Sequence, residues 1–190
     1  MNDTTADEPT ADEPPDHLVI REIAAESSDE VDLVARRMQA TLVEVEGEAN
    51  AARLHSLPWI RERLLWHIDN PAVPGRVLVA ALGTGEVVGH TVLRRETDPE
   101  GGHYGLFSTI YVIPPCRGHG VAARLLRAGE EWFRLVGLSA FSTWTSSTNT
   151  RLIGLYEGHG YRITQSACHE VTGTLMVNLT RSDPPTRDPA

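Results

Sequence analysis

Lysine is absent from this 190-residue chain, and all seventeen of its cationic residues are arginine. That excludes a phosphate-binding P-loop, which ends on a lysine that reaches the phosphates. Cysteine is nearly absent too. Cys116 and Cys168 lie far apart, with no Cys-x-x-Cys and no His-Glu-x-x-His, so neither a zinc site nor a disulfide framework is expected, and a reducing, cytoplasmic setting fits. No apolar run approaches the length of a membrane span, and the first residues are acidic rather than basic then apolar, so a soluble protein is expected. The formal net charge of -9 is concentrated at one end. Residues 1–16 hold six of the 26 acids and no base; the remaining twenty acids against seventeen arginines leave about -3. With no basic stripe, attraction to nucleic acid or to an anionic membrane is not expected.

The acidic stretch Met1 to Asp16 has nothing apolar to bury and reads as a disordered tail. Residues 181–190 read as a flexible C-terminal tail, and 17–180 as one domain large enough for a full core. A first strand is expected over His17–Ile23. Ser27, Ser28 or Asp29 then caps a helix running to about Val45, with Val31, Val34, Met38 and Leu42 on one face. Glu44, Glu46 and Glu48 alternate beside its end as a solvated acidic rim or as an attraction for a cationic amine. A second helix, started by Pro58, spans Trp59–Ile68, and its tryptophans, Trp59 and Trp66, read as packing residues. Arg76–Leu82 and Glu86–Arg95 form a hairpin about Gly83-Thr84-Gly85, and Tyr104–Ile113 is a long third strand.

That strand breaks at Pro114-Pro115 and is followed by Arg117-Gly118-His119-Gly120-Val121-Ala122, which opens into a helix over Ala123–Val136. A helix N-terminus leaves backbone N–H groups unpaired at the positive end of the macrodipole, and glycines let a phosphate approach them closely. The arrangement reads as a pyrophosphate cradle, although Gly118-x-Gly120 lacks the third glycine of the dinucleotide fingerprint. Gly137 stops the helix; Leu138–Thr145 returns as a strand, Thr150–His159 as a short helix, and Tyr161–Ser166 with Thr174–Leu179 as a closing hairpin.

Arg117-x-x-Gly120-x-Ala122 after Tyr111-Val112-Ile113-Pro114, then Asn149 seven residues before Tyr156, then Leu155-Tyr156-Glu157-Gly158-His159-Gly160-Tyr161, resembles the GNAT superfamily of acyl-CoA-dependent N-acyltransferases. The resemblance covers about the last half of the chain. It implies an α/β (α+β) fold: a mixed, mostly antiparallel central sheet flanked by helices, whose central parallel strands splay to admit the pantetheine arm. It implies acetyl-CoA as co-substrate, no metal, and an amine acceptor on a small molecule or a peptide. Homodimers are common among such proteins.

The resemblance further implies that backbone groups of Arg117, Gly118, His119, Gly120, Val121 and Ala122 hold the pyrophosphate. Ile110, Tyr111 and Val112 would bind the pantetheine, Asn149 would hold its amide while capping the short helix, and Tyr156 would meet the leaving thiolate. Many relatives carry a carboxylate on the strand before the cradle, but Phe107-Ser108-Thr109-Ile110-Tyr111 has none. The general base is open among His90, His103, His169, Glu170, Tyr111 and a water held by Thr109. A transferase acting by direct attack is the expectation; a coenzyme-binding sensor that has lost transfer is the alternative. Cys116 has no base adjacent in sequence to make it an acyl carrier.

Overall fold

The computed structural model describes residues 17–70 and 74–184, so the tail expected at 1–16 and residues 185–190 of the tail expected at 181–190 lie outside the described residues. Strand β1 (Val19–Glu22) leads into helix α1 (Ser28–Glu46). The Ser27 hydroxyl accepts from the N–H of Glu30, and the Glu30 carboxylate accepts from the N–H of Ala24 at 2.8 Å and from Arg21 at 2.7 and 2.8 Å. Start and entry angle of α1 are thereby fixed together.

A short helix α2 (Glu48–Leu54) follows at once, separated from α1 by Gly47 at φ 78°. The sequence reading missed it, because seven residues without an apolar stripe leave no periodicity to detect. Glu48 therefore opens a helix, where a carboxylate is favoured, instead of trailing one. Helix α3 (Leu57–Asp69) is capped by Ser56 and carries Pro58 in its first turn. Its tryptophans are not core: Trp59 is 45% exposed and stacks on His55 at 3.8 Å, and Trp66 lies under the Arg63 guanidinium at 4.1 Å.

Strands β2 (Gly75–Ala81), β3 (Val87–Thr97) and β4 (His103–Val112) form an antiparallel meander. After a 3-10 turn at Pro114–Cys116 come helix α4 (Val121–Leu135), strand β5 (Ala140–Ser146), helix α5 (Thr150–Gly158) and strands β6 (Arg162–Cys168) and β7 (Leu175–Ser182). The seven-stranded sheet has the order β1-β2-β3-β4-β5-β7-β6, and only β4 and β5 run parallel. Strand β7 continues two residues past the expected start of the C-terminal tail, and Arg181 is held in place by Glu130 at 2.9 Å.

Two apolar layers sandwich the sheet. One joins α1 and α3 to it through Val31, Val34, Leu64, Val79 and Val92. The other joins α4 and α5 through Leu125, Leu126, Phe133, Tyr156 and Phe107. Helix α4 lies so close to β4 that a Cβ on Gly129 would strike the Phe107 ring and one on Gly105 would strike that of Phe133. The parallel pairing of β4 with β5 covers Gly105–Phe107 against Phe141–Thr143 and then ends. Opposite that end, β4 carries a bulge: Val92 pairs with Thr109 and Leu93 with Phe107, leaving Ser108 unpaired. A bulge bends its strand and raises local twist, which turns β4 away from β5. Threonine hydroxyls stabilise the bend, Thr143 donating to the Phe107 carbonyl at 3.0 Å and Thr91 to that of Thr109 at 2.9 Å. The sheet thus opens as the expected splay requires.

Candidate active site

A pocket of about 280 Å³ occupies the opening. Its walls are Ile110, Tyr111 and Val112 of β4; Thr41, Glu44 and Val45 of α1; and Asn149, Arg151, Leu152 and Leu155 at α5. Its floor is the loop from Cys116 to Gly118 with the first turn of α4, Gly120 to Ala123.

The floor is built to take negative charge. Gly118 and Gly120 sit at φ 84° and 69°, and no side chain caps α4. The first intrahelical bond runs from the N–H of Arg124 to the carbonyl of Gly120, so the N–H groups of Val121, Ala122 and Ala123 precede any intrahelical partner. A Cβ on Gly120 would meet nothing within 4 Å, so the space over the cradle is open. Arg117 is fixed by Nε, which donates to the Val112 carbonyl at 2.8 Å, and by Nη2, which donates to both Glu44 oxygens at 2.9 and 3.1 Å. Glu44 is therefore ion-paired across the mouth of the pocket, 73 residues away in sequence from its partner. His119 turns back, donating from Nδ1 to the Arg117 carbonyl at 3.0 Å, and does not line the pocket.

Asn149 caps α5 by accepting from the Leu152 N–H at 3.3 Å and donates to the Thr145 hydroxyl at 3.2 Å. Tyr156 lies one layer behind the lining. It is fully buried, with ring centroids 4.9 Å from Tyr161 and 5.9 Å from Phe107, and its hydroxyl has no hydrogen-bond partner. Burial raises its pKa, with the nearby Thr143 hydroxyl opposing in part, so the phenol stays protonated. The uncapped N-terminus of α4 lines the pocket and suits a pyrophosphate, whereas Tyr156 is buried behind the lining. Acetyl-CoA fits these residues.

Of the base candidates, Tyr111 alone lines the pocket. His90 pairs with it across β3 and β4 at a ring distance of 5.7 Å but is fully buried, and burial, with Arg37 second, lowers its pKa to about 3. A base that weak is a poor proton acceptor at neutral pH. His103 stands at the opposite end of β4, bonded to Thr97 at 3.0 Å. His169 and Glu170 belong to the β6–β7 turn, where His169 Nδ1 accepts from the N–H groups of Val171 and Thr172. Sequence reasoning did not name Thr41, Arg151, Leu152 or Leu155 as pocket residues. The three-residue step from Thr41 to Glu44 was visible on α1, but which face of α1 meets the opening was not.

A glycine-floored, uncapped helix N-terminus under a parted pair of parallel strands is the arrangement that the resemblance to acyl-CoA-dependent transferases implies. The comparisons agree. Residues 40–161 match the model of the acetyltransferase (GNAT) family. An aminoglycoside N(6')-acetyltransferase type 1 of Klebsiella aerogenes is 30% identical over 101 residues, covering 51% of this chain and 66% of that protein, just under two thirds of its length. Two solved structures superpose at low identity: a putative acetyltransferase of Salmonella typhimurium with its cofactor acetyl-CoA (TM-score 0.71, 16% identity, 92% of this chain and 99% of that one), and a spermidine N-acetyltransferase of Vibrio cholerae in complex with CoA and spermine (TM-score 0.65, 17%, 87% and 95%). This chain belongs to the GNAT acetyltransferase family, a class of acetyl-CoA-dependent N-acetyltransferases.

Among the described residues no helix is long and apolar enough to cross a membrane, and no cluster of three or more His, Cys, Asp or Glu could hold a metal.

Proposed function

We propose that this enzyme transfers an acetyl or other short acyl group from acetyl-CoA to a primary amine of a small molecule or peptide, by direct attack within the β4–β5 opening. The observation that carries the reading is the uncapped N-terminus of α4 facing that opening. The N–H groups from Gly118 to Ala122 hold the pyrophosphate, and His119 serves through its backbone only. The stretch Ile110–Val112, which β5 no longer covers, bonds the pantetheine and polarises the acyl carbonyl; backbone donors of this kind are worth about 3 kcal/mol of barrier each. Asn149 orients the pantetheine amide, and Tyr156 donates its O–H to the departing thiolate.

An unperturbed phenol at about 10 is a weaker acid than a thiol at about 8.5, and burial weakens Tyr156 further. Its role is therefore a hydrogen bond rather than full proton transfer. Tyr111, or a water held beside Thr109, receives the amine proton.

The absence of a carboxylate on β4 favours a second reading, a coenzyme-binding sensor without turnover. Against it stands Tyr156, whose buried hydroxyl has only the Thr143 hydroxyl near it and no well-formed hydrogen bond in the fold. Titration calorimetry with acetyl-CoA, followed by thiol release across a library of amines, separates the two. Binding with turnover supports the enzyme; binding without turnover of any amine supports the sensor; no binding at millimolar ligand removes both. The free cysteines Cys116 and Cys168 are in keeping with cytoplasmic residence, which we include in the proposal.

A further inference from the structure

Two of the three acids that in sequence suggested an attraction for cationic amines are already engaged. Both Glu44 oxygens are held by Arg117, and Glu46 accepts from the Thr174 hydroxyl. Among the charges on this side of the sheet that make no ion pair, Arg37 is the cation beside the pocket. Arg37 lies one helical turn before Thr41, whose hydroxyl donates to the Arg37 carbonyl at 2.9 Å, so both residues share a face of α1 and Thr41 lines the pocket. The Arg37 guanidinium carbon is 6.0 Å from the centroid of the Tyr111 ring, and that of Arg117 is 5.6 Å from the same ring. Two guanidinium groups thus flank one pocket-lining aromatic, and only one of them has a counter-ion.

Arg37 Nη1 is buried with no hydrogen-bond partner, and Arg37 makes no ion pair with a described residue. The ring contact does not compensate it, because 6.0 Å is at the outer edge of cation–π attraction. Its neighbour His90 also has both ring nitrogens unpartnered and is held neutral. Arg37 is half-buried beside the pocket rather than among its lining residues, and burial lowers its pKa, with Tyr111 and Glu86 opposing in part. An incoming oxyanion would offset that burial through a fork of charge-assisted bonds.

We propose that the acceptor amine also bears a carboxylate, and that Arg37 binds it beside Tyr111, making this residue the determinant of acceptor class. The proposal rests on the acetyl-transfer reading above. It assigns the enzyme an amino-acid-like acceptor and sets it apart from transferases of polycationic amines. Arg37 contacts the substrate away from the reacting atoms. Its effect therefore falls on discrimination between acceptors.

The test compares ω-amino carboxylic acids of graded length, each against its own carboxamide, with a polyamine and an aminoglycoside as cationic comparators, all by thiol release from acetyl-CoA. The acids are expected to exceed their amides in kcat/KM by about tenfold to hundredfold, the range of a charge-assisted hydrogen bond. In Arg37→Met the ratio should collapse to within about twofold, and in Arg37→Lys, which keeps the charge without the fork, it should be intermediate. Amides equal to acids, or cationic amines preferred by the native enzyme, would overturn the inference while leaving acetyl transfer intact.

Calorimetric titration of an N-acetyl amino carboxylic acid into the coenzyme A-loaded protein reads Arg37 independently of turnover. Binding weakened about tenfold or more by Arg37→Met supports the assignment, and equal binding overturns it even if no amine is acetylated. Removing a half-buried charge that makes no ion pair should leave Tm unchanged or raised; should Arg37→Met not fold, Arg37→Lys carries both measurements.

Discussion

The two ends of the α4 layer treat buried polar groups in opposite ways. Near the C-terminal end of α4, Glu130 is almost fully buried and is saturated: Arg181 donates to both its oxygens at 2.9 and 3.0 Å and Arg134 to one at 3.2 Å. Those arginines in turn bind Asp183 at 2.6 and 3.1 Å, and Arg181 also donates to the His159 carbonyl at the end of α5. At the β4–β5 opening, by contrast, the Tyr156 hydroxyl and, across the sheet, both His90 nitrogens and Arg37 Nη1 have no partner. Most buried polar groups in folded proteins are paired, and unpaired ones also occur away from the opening, at Tyr161 beside Glu130 and at His67 and Arg94, so it is the group of them around the opening, next to the pocket, that supports the proposed site. The saturated cluster has its own service to the site: it ties α5, which carries Asn149 and Tyr156, to α4, which carries the cradle.

The largest effect should come from filling the cradle. Gly120→Val places a β-branched side chain at φ 69° and in the space reserved for phosphate, so acetyl-CoA affinity should fall at least about a hundredfold, or about 2.7 kcal/mol, by calorimetry. Native affinity would move the nucleotide site away from α4.

Breaking the saturated cluster comes next. Glu130→Ala leaves Arg181 and Arg134 without their shared acid, and denaturant unfolding should show a loss of about 3 kcal/mol. A loss below about 1 kcal/mol would mean the arginines simply rehydrate, and the contrast between the two ends would weaken.

Tyr156→Phe should do the reverse, lowering kcat about tenfold to hundredfold, about 1.5–3 kcal/mol, with Tm and acetyl-CoA affinity close to native, because the deleted hydroxyl bonds nothing in the fold. A kcat within twofold of native would remove it from the mechanism, and a fall in Tm with kcat unchanged would reassign it to the core.

A further contrast is read by pH. His90 is held at about 3 when folded against about 6.5 when unfolded, so below pH 6.5 the unfolded chain takes up a proton that the folded chain refuses. Its contribution is complete above pH 6.5 and is lost as pH falls towards 3; His67, lowered to about 4 by burial first and by Arg94 and Arg63 next, acts in the same sense. In His90→Leu the acid slope of stability should flatten by about 1.4 kcal/mol per pH unit. An unchanged slope would show that His90 is solvated or paired in solution.

Much of the route to the site was legible because it is local. An apolar run with β-branched residues, a double proline, glycines and an amphipathic stretch dictate strand, turn and helix in sequence, and Gly120 took the left-handed conformation that its place before α4 demands. Asn149 could be named for the same reason, since a cap acts within three residues. Exposure was less legible. Trp59 and Trp66 were expected to pack and instead carry His55 and Arg63 on their faces, because the hydrophobic pattern of α3 identifies an apolar stripe without limiting its width. The role of Glu44 was open for a related reason: its charge is visible in the chain, but its partner is not.

The sequence by itself determined the order of elements, the glycine turn and the Asn149 cap, since each follows from backbone preferences over a few residues, while the pairing of Asn149 with Tyr156 came from the family resemblance. The tertiary structure alone decided that β4 and β5 part after Phe107 and Thr143, that Tyr156 stands behind the pocket wall, and that Glu44 is neutralised while Arg37 is not. Those outcomes depend on which faces of distant elements meet. Burial and charge pairing act through space between residues tens of positions apart, and no local preference of the chain encodes them.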